Sequence, residues 1–436
     1  MAGPERRVSG RPARLDTPNA APETSTRAKG ASAVSDSESS SGAGAAAARL
    51  LDKVQTAAGR LVQSRAIAQQ AQVREALTRT ELTLALNQAL IGRAEARARL
   101  RVVAFDAYRA SRRPGRLRRR GKLSRNFEQL LARLGAPGKA LVIARAGVWR
   151  GTGRLLFDLR HMAAYARRGA HPQVPPPALF DQAWYLETYP DVVAAGASPL
   201  AHYLLEGGDD DRSPHPLFDV AHYRRENGAD LTATGVTPLE HFVRRGAALG
   251  RNPHPLFDIA YYIAQSPDLQ PGEDPLSHYL RIGWTRELAP HPLIDPAWYR
   301  QRAPRAARHL PPLLHYVEAG WRQGLSPHPL FDPRWYLEQN PDIAQAGDEP
   351  LSHFLLHGAA EGRSPSPWFD LRHYLAVRGD ALAPGSNPLI DYLQGGAWAV
   401  AEPRPGFPTA AYLAATPELV RDGITPLEHW ARRQAG

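Results

Sequence analysis

The chain has 436 residues, a formal net charge of +11 and no cysteine, which excludes disulfides, thiolate metal sites and cysteine nucleophiles. The charge is unevenly distributed. Residues 1–178 contain 33 Lys+Arg and 12 Asp+Glu (net +21), whereas residues 179–436 contain 21 and 31 (net −10). This division predicts two functional bodies, of which the basic one contacts an anionic partner.

Residues 1–44 are rich in Ser, Gly, Ala and Pro, and this composition predicts a disordered tail. The N-terminal segment is positively charged but is followed by no apolar stretch of about seven residues, so we expect no secretory signal. No part of the chain approaches the roughly 18 uninterrupted apolar residues of a membrane span. We therefore expect a cytoplasmic protein, peripheral at the inner membrane if its basic segment binds lipid.

Residues 45–113 contain no proline and are rich in Ala, Leu, Arg, Gln and Glu, which predicts one long helix. Two seven-residue columns run through it, and the second is half polar. A coiled coil that forms a homo-oligomer and a helix that packs on its own neighbour both remain open interpretations. The columns are Leu77, Leu84, Ile91 and Ala98, and Val73, Thr80, Asn87 and Ala94.

Residues 114–154 are predicted to form a basic hinge with short amphipathic helices, one of them capped by Ser124 and bearing Phe127 and Leu130. The run 109–125 has nine Lys+Arg and no acid. Contact with anionic lipid is one interpretation, and a solvated turn is the other. Nucleic acid is not expected, because no nucleic-acid-binding fold surrounds the run. The candidate membrane or anion contacts are Arg112, Arg113, Arg116, Arg118, Arg119, Arg120 and Lys122.

Seven tandem units fill residues 179–436, with intervals of 37–39 residues. Residues 155–178 are interpreted as a degenerate capping repeat followed by a Pro-rich linker. In six units an Asp suited to capping a helix follows the first residue, and a Tyr follows five residues after the start in all seven. The units begin at Phe180, Phe218, Phe257, Ile294, Phe331, Phe369 and Phe407.

A Pro-Leu pair begins a second helix in every unit, and a glycine is expected to end it in the left-handed conformation. The exit loop is often Pro-His-Pro. Because one unit alone cannot bury its apolar face, the sequence predicts an all-α fold, an α-solenoid or a similar helical array. The expected glycine stops are Gly207, Gly246, Gly283, Gly320, Gly358 and Gly395.

The candidate chemistry is sparse. Two columns of histidines recur at one per unit, which favours structural hydrogen bonds, to a capping Asp or a loop carbonyl of a neighbouring unit, over convergent metal ligands. Asp209–Asp211 resembles a nucleotide-binding acidic triplet but is expected to be a solvated loop. No catalytic, cofactor or metal residue is predicted. Core packing is the default interpretation of the recurring aromatic residues, and the candidates for the alternative, sugar stacking, are Trp184, Trp298 and Trp335.

The fifth unit, FDPRWYLEQNPDIAQAGDEPLSHFLLHGAAEGRSPSP (331–367), resembles repeats that accompany bacterial glycosyltransferases and rhamnan-synthesis-type proteins of surface polysaccharide assembly. The resemblance covers about residues 155–436 and implies a setting, not an activity, because no nucleotide-sugar domain is visible in this sequence. We therefore expect a non-catalytic helical-repeat scaffold with a protein partner. The alternatives are a carbohydrate-binding module and a partner of a glycosyltransferase whose catalytic domain is on another chain.

Overall fold

The computed structural model describes residues 39–111, 122–149, 154–168, 179–270 and 272–434. These residues form helices joined by turns and isolated β-bridges, without a β-strand in those ranges, so the predicted all-α class is confirmed. They divide into two units, Met1–Thr78 and Arg79–Gly436. No helix among them is long and apolar enough to cross a membrane.

Helix α1 (Ser39–Ser111) begins six residues before the predicted start at residue 45. The prediction of a disordered tail is therefore wrong for residues 39–44, and residues 1–38 lie outside the described part of the chain. The physical reason is that adding a residue to an existing helix is far easier than nucleating one, and Ala45–Ala48 favour propagation. Between Arg49 and Thr78 every side chain of α1 is exposed.

Helices α2 (Lys122–Arg133), α3 (Ala136–Ala146) and α4 (Leu155–Arg168) follow. Ser124 lies inside α2 and does not cap it, because the helix begins two residues earlier. The Ser124 hydroxyl instead accepts a hydrogen bond of 2.8 Å from Arg145. Helix α3 packs on α2 and α4 and against the second helix of the first repeat unit.

Each repeat unit begins with a helix, and an Asp side chain caps it in six units by accepting from a backbone N–H of the first turn, as predicted. In the seventh unit Pro408 stands in that position. These first helices are Gln182–Thr188, Val220–Thr234, Ile259–Ile263, Pro296–Arg302, Pro333–Gln339, Leu371–Arg378 and Thr409–Ala415.

A proline begins the second helix of every unit, as the Pro-Leu pairs predict. In five units this helix continues into a π-helical turn: Tyr203–Gly207, Phe242–Gly246, Tyr316–Gly320, Phe354–Gly358 and Tyr392–Gly396. The second helices are Pro199–His202, Pro238–His241, Pro275–Arg281, Pro312–His315, Pro350–His353, Pro388–Asp391 and Pro426–Gln434.

Shorter helices lie between these two in several units or directly after the second. The α-helical ones are Pro190–Ala194, Pro341–Ala346 and Glu418–Asp422. The 3-10 helices are Ala247–Leu249, Gly283–Arg286, Arg305–His309 and Gly379–Ala381. The first helix of the first and fifth units ends just before Pro190 and Pro341, because a proline inside a helix removes a backbone hydrogen bond.

Neighbouring units are joined through backbone and aromatic groups. The hydroxyl of Tyr203 accepts from the N–H of Leu239 in the next unit at 3.3 Å, and Tyr279 and Tyr392 make the same bond to their next units. Units three apart also meet, because Arg432 of the seventh unit pairs with Asp295 of the fourth. The units therefore bury one continuous core of Tyr, Phe and Leu side chains.

Candidate interaction site

A tyrosine–histidine pair, buried or partly buried, recurs in six of the units. The tyrosine hydroxyl of the first helix lies 2.6–3.0 Å from Nδ1 of the histidine of the second. In the remaining unit Asp391 replaces the histidine and accepts from Tyr374. Burial lowers the pKa of His202, His241 and others of this column, so the neutral imidazole is favoured. These histidines bond within their own unit, and not to a neighbouring unit as the sequence analysis expected.

The glycines that end the second helices have a different role from the predicted one. None of them has a positive φ, so the predicted left-handed cap is wrong. In six units a Cβ on this glycine would lie 1.8–2.4 Å from the hydroxyl oxygen of the paired tyrosine. Glycine is therefore required by close approach of a side chain. In the sixth unit the glycine is Gly396 and not the predicted Gly395.

The left-handed position lies four residues further on. Gly250, Gly324 and Gly362 occupy it in three units, with φ of 70–75°. Asp211, Glu287 and Val400 occupy it in three others, with φ of 56–62°. A β-branched residue such as valine is the least suited to this conformation, so Val400 carries local backbone strain.

The Pro-His-Pro histidines stabilise their own loops. Nδ1 of His215, His254, His291 and His328 accepts from the backbone N–H two residues later, at 2.9–3.2 Å. Burial lowers the pKa of His215, His254 and His291 to about 4, so these rings are neutral at pH 7. In the described part of the chain no three His, Asp or Glu side chains converge as metal ligands would.

In the first and fifth units the Asp that follows Pro190 or Pro341 pairs with an arginine of the exit loop. Arg212 makes a bidentate contact with Asp191, at 2.9 and 2.8 Å, and Arg363 makes one with Asp342, at 2.9 Å for both bonds. The arginine holds the pKa of each carboxyl below its ordinary value. Each ion pair thus connects the middle of a unit with the exit loop of the same unit.

The three candidate sugar-stacking tryptophans differ. Trp298 is 6% exposed, and the guanidinium of Arg302 lies 3.1 Å from its ring centroid, so its face is covered and unavailable to a sugar. Trp298 thus packs in the array, which agrees with core packing as the default interpretation. Trp184 and Trp335 are half-buried, and each is the third residue of the first helix of its unit.

The acidic triplet is held by arginines. Arg125 donates a hydrogen bond of 2.9 Å to Asp209, and Arg224 forms an ion pair with Asp211 at 2.6 Å. Asp211 also holds the left-handed backbone position of its unit. The triplet is thus a loop tied by ion pairs. The side chains of Arg112, Arg113, Arg116, Arg118, Arg119, Arg120 and Lys122 lie outside the described residues.

The C-terminal part of helix α1 packs against the repeat array, and the sequence did not predict this contact. Leu90 of α1 is 3% exposed and packs with Trp398 and Leu413 of the last two units. Nearer the end of α1, a Cβ on Gly250 would lie 2.7 Å from Phe105, so the glycine makes room for the ring. The hydroxyl of Tyr108 donates to the carbonyl of Glu273 at 3.3 Å.

Arginines of α1 line the same contact. Arg93 donates to the carbonyls of Val420 and Arg421 at the end of the helix Glu418–Asp422, where carbonyl groups lack partners and attract cations. Arg101 lies 5.0 Å from the ring centroid of Tyr261. We call the surface formed by Gly250, Tyr261, Trp398, Leu413 and Val420 the helix-receiving face.

A polar cavity of about 280 Å³ lies within this contact, lined by Arg97 and Arg101 of α1 and by Asp295, His328 and Glu428 of the array. The contact between α1 and the array therefore includes a polar cavity in which arginines of α1 face acidic side chains of the array. The sequence feature that could have predicted this contact is a row of residues on one face of α1, spaced three and four residues apart. The row consists of Leu90, Ala94, Arg97, Arg101, Phe105 and Tyr108.

Comparison with known proteins identifies no relative: no family model, curated protein or solved structure matches the chain.

Proposed function

We propose that this protein is a non-catalytic helical-repeat scaffold whose array binds a partner through an amphipathic, arginine-bearing helix. The observation that carries the proposal is the helix-receiving face, which holds such a helix within the chain. Leu90 is buried there, and Arg93 bonds two helix-terminal carbonyls. The net charge of −10 over residues 179–436 favours a basic helix.

The residues fixed among the units support the same proposal. The Tyr–His pairs, the glycines beside them and the Pro-His-Pro loops are occupied by hydrogen bonds and packing inside the array. The recurrence of these residues is therefore explained by the folding of the array. Recognition is therefore assigned to the variable positions between them, such as Trp398 and Leu413.

The biological setting we propose is bacterial cell-surface polysaccharide assembly, on the basis of the resemblance of the repeat unit. Deleting the gene should lower the amount of surface polysaccharide, measured as extractable hexose, and the wild-type gene should restore it. A triple variant, Asp209→Asn, Asp210→Asn and Asp211→Asn, should restore it equally. An unchanged polysaccharide level in the deletion strain would contradict this setting.

A carbohydrate-binding module is the second candidate, because Trp184 and Trp335 are only half-buried. Titration of the purified chain with surface polysaccharide distinguishes the candidates. A binding module loses affinity when Trp184→Ala and Trp335→Ala are combined, whereas a protein scaffold shows no saturable binding to begin with. A third candidate, an associate of a glycosyltransferase on another chain, predicts activity with nucleotide sugars only when both chains are present. Turnover by this chain alone would refute the scaffold.

The remaining proposals concern location and assembly. We place the protein in the cytoplasm, at the inner face of the membrane, with the basic run 109–125 in contact with anionic lipid. Self-association through residues 45–113 remains part of the proposal. The apolar side chains of its N-terminal part, such as Leu51, Val54 and Leu61, are 59–64% exposed. Sedimentation of the full chain at several concentrations tests it.

A further inference from the structure

Helix α2 has an outward apolar face. Phe127 and Leu130 on the helix, and Leu134 directly after its last residue, are spaced three and four residues apart and are 51%, 58% and 68% exposed. Its other side is occupied, because Glu128 is 2% exposed and Leu131 packs against the core. Two leucines at the start of α4, Leu155 and Leu156, are also exposed, at 69% and 83%. A group of large apolar side chains on one helix face usually marks a contact surface.

The charged groups that these helices carry are mainly cationic. On the side that faces the first repeat unit they lie near acids, because Arg125 pairs with Asp209 and Arg133 lines a cavity together with Asp191, Glu206 and Asp210. Helices α2 and α3 contain five Lys+Arg and one acid, and that acid, Glu128, is buried beside Arg145 at 3.2 Å. Helix α4 also contains one acid, Asp158, which is 8% exposed. The ionisable groups at the surface of these helices are therefore cationic, and include Arg133.

We propose that Phe127, Leu130 and Leu134 insert into the interfacial region of a bilayer that contains anionic lipid, with the surrounding Arg and Lys side chains on its headgroups. An apolar face on helices whose exposed charged groups are Arg and Lys fits this surface. The same face fits an apolar groove of a protein partner less well, because an apolar groove offers no negative charge to the flanking Arg and Lys side chains. The inference rests on the proposed membrane contact of residues 109–125 and adds an apolar contact made by α2.

The experiment uses the absence of native cysteine. Leu130→Cys in the full chain is labelled with an environment-sensitive fluorophore and mixed with vesicles of phosphatidylcholine, with or without about 30% phosphatidylglycerol. We expect a blue-shifted emission and protection from an aqueous quencher with anionic vesicles only. The matched control is Val377→Cys on the array, where the native side chain is 51% exposed and the probe should stay in water.

Co-sedimentation of unlabelled protein with the same vesicles separates the two contacts. Leu130→Ala with Leu134→Ala should weaken binding about tenfold, and Arg133→Glu at least fivefold, whereas Leu310→Ala on the array should change nothing. Binding to anionic vesicles with the probe at position 130 still in water would overturn the insertion but keep the basic contact. Lack of binding to anionic vesicles would overturn both. Blue shift on adding duplex DNA or on self-association, without vesicles, would also overturn the inference.

Discussion

The hydroxyl of Tyr223 lies 2.7 Å from Nδ1 of His241, and both side chains are buried. The same hydroxyl would lie 1.9 Å from a Cβ at Gly246. These three residues thus form one structural motif, which we call the device. It consists of a tyrosine on the first helix, a histidine on the second and a glycine five residues after that histidine. The device fixes how the two helices of a unit cross, and it recurs along the array.

Gly246→Ala tests this device. The added methyl cannot coexist with the Tyr223 hydroxyl, so either the Tyr–His bond or the helix crossing must give way. We expect a loss of about 2–3 kcal/mol in the free energy of unfolding. The matched control is Gly228→Ala, a helical site with no atom within 4 Å of the new Cβ, which should be neutral or slightly stabilising. Equal denaturation midpoints for the two variants would contradict the device.

Val400→Gly should stabilise the protein. Valine at φ 62° is strained, and the equivalent positions in other units, such as Gly362, have glycine. Relief of the strain should exceed the entropic cost of glycine and give about 1 kcal/mol. The reverse change, Gly362→Val, meets only an ordinary contact of 3.6 Å with Arg372 and should destabilise through backbone strain alone. Chemical denaturation measures the free energy of unfolding of both variants. A Val400→Gly variant less stable than the wild type would refute the claim that Val400 is strained.

Acid should destabilise the array through its loop histidines. Burial lowers the pKa of His215, His254 and His291 to about 4 in the folded chain, against about 6.5 when unfolded. The folded state therefore binds fewer protons in this window. Stability is complete above pH 6.5 and falls as the pH drops towards 4, by on the order of 3 kcal/mol per histidine.

The pH dependence of the melting temperature measures this effect. His254→Asn keeps an acceptor for the N–H of Leu256 but cannot titrate, so its loss of stability between pH 6.5 and 4 should be smaller than that of the wild type. His309→Gln is the control, since His309 is exposed and should leave the profile unchanged. Parallel profiles for all three proteins would show that the loop histidines do not control acid stability.

Much of the fold could be predicted from short sequence motifs. The capping Asp residues, the prolines that begin second helices and the breaks at Pro190 and Pro341 follow from backbone chemistry, and each acts within a few residues. The role of Gly246 did not follow, because its reason is the approach of Tyr223, more than twenty residues away in sequence. Trp298 is comparable: one sequence cannot tell a buried indole from an exposed one when Arg302 and Arg432 cover it.

The contact of α1 with the array could not be predicted from the sequence either, although the residues that make it recur at spacings of three and four along the helix. The seven-residue columns emphasised Leu77 and Ile91, which are 58% and 41% exposed. The buried contact instead uses Leu90, one position away, together with Arg93. A helix can present several such rows, and only the shape of the receiving surface decides among them.

Binding of a helix in trans tests the central proposal most directly. In the wild type, α1 occupies the helix-receiving face and competes at a high effective concentration. Leu90→Asp should release it, because the carboxylate cannot be buried between Trp398 and Leu413. A fluorescent peptide of residues 86–111 should then bind the Leu90→Asp chain in the micromolar range, and the wild type much more weakly.

Two controls accompany this titration. Leu82→Asp, at a side chain 67% exposed, should behave like the wild type, and a peptide with Arg93→Asp should not bind. Micromolar binding of the native peptide to the Leu90→Asp chain alone is the predicted result. Absence of that binding, with circular dichroism showing an intact array and hydrogen exchange showing residues 86–108 released, would contradict the array as a helix-binding scaffold.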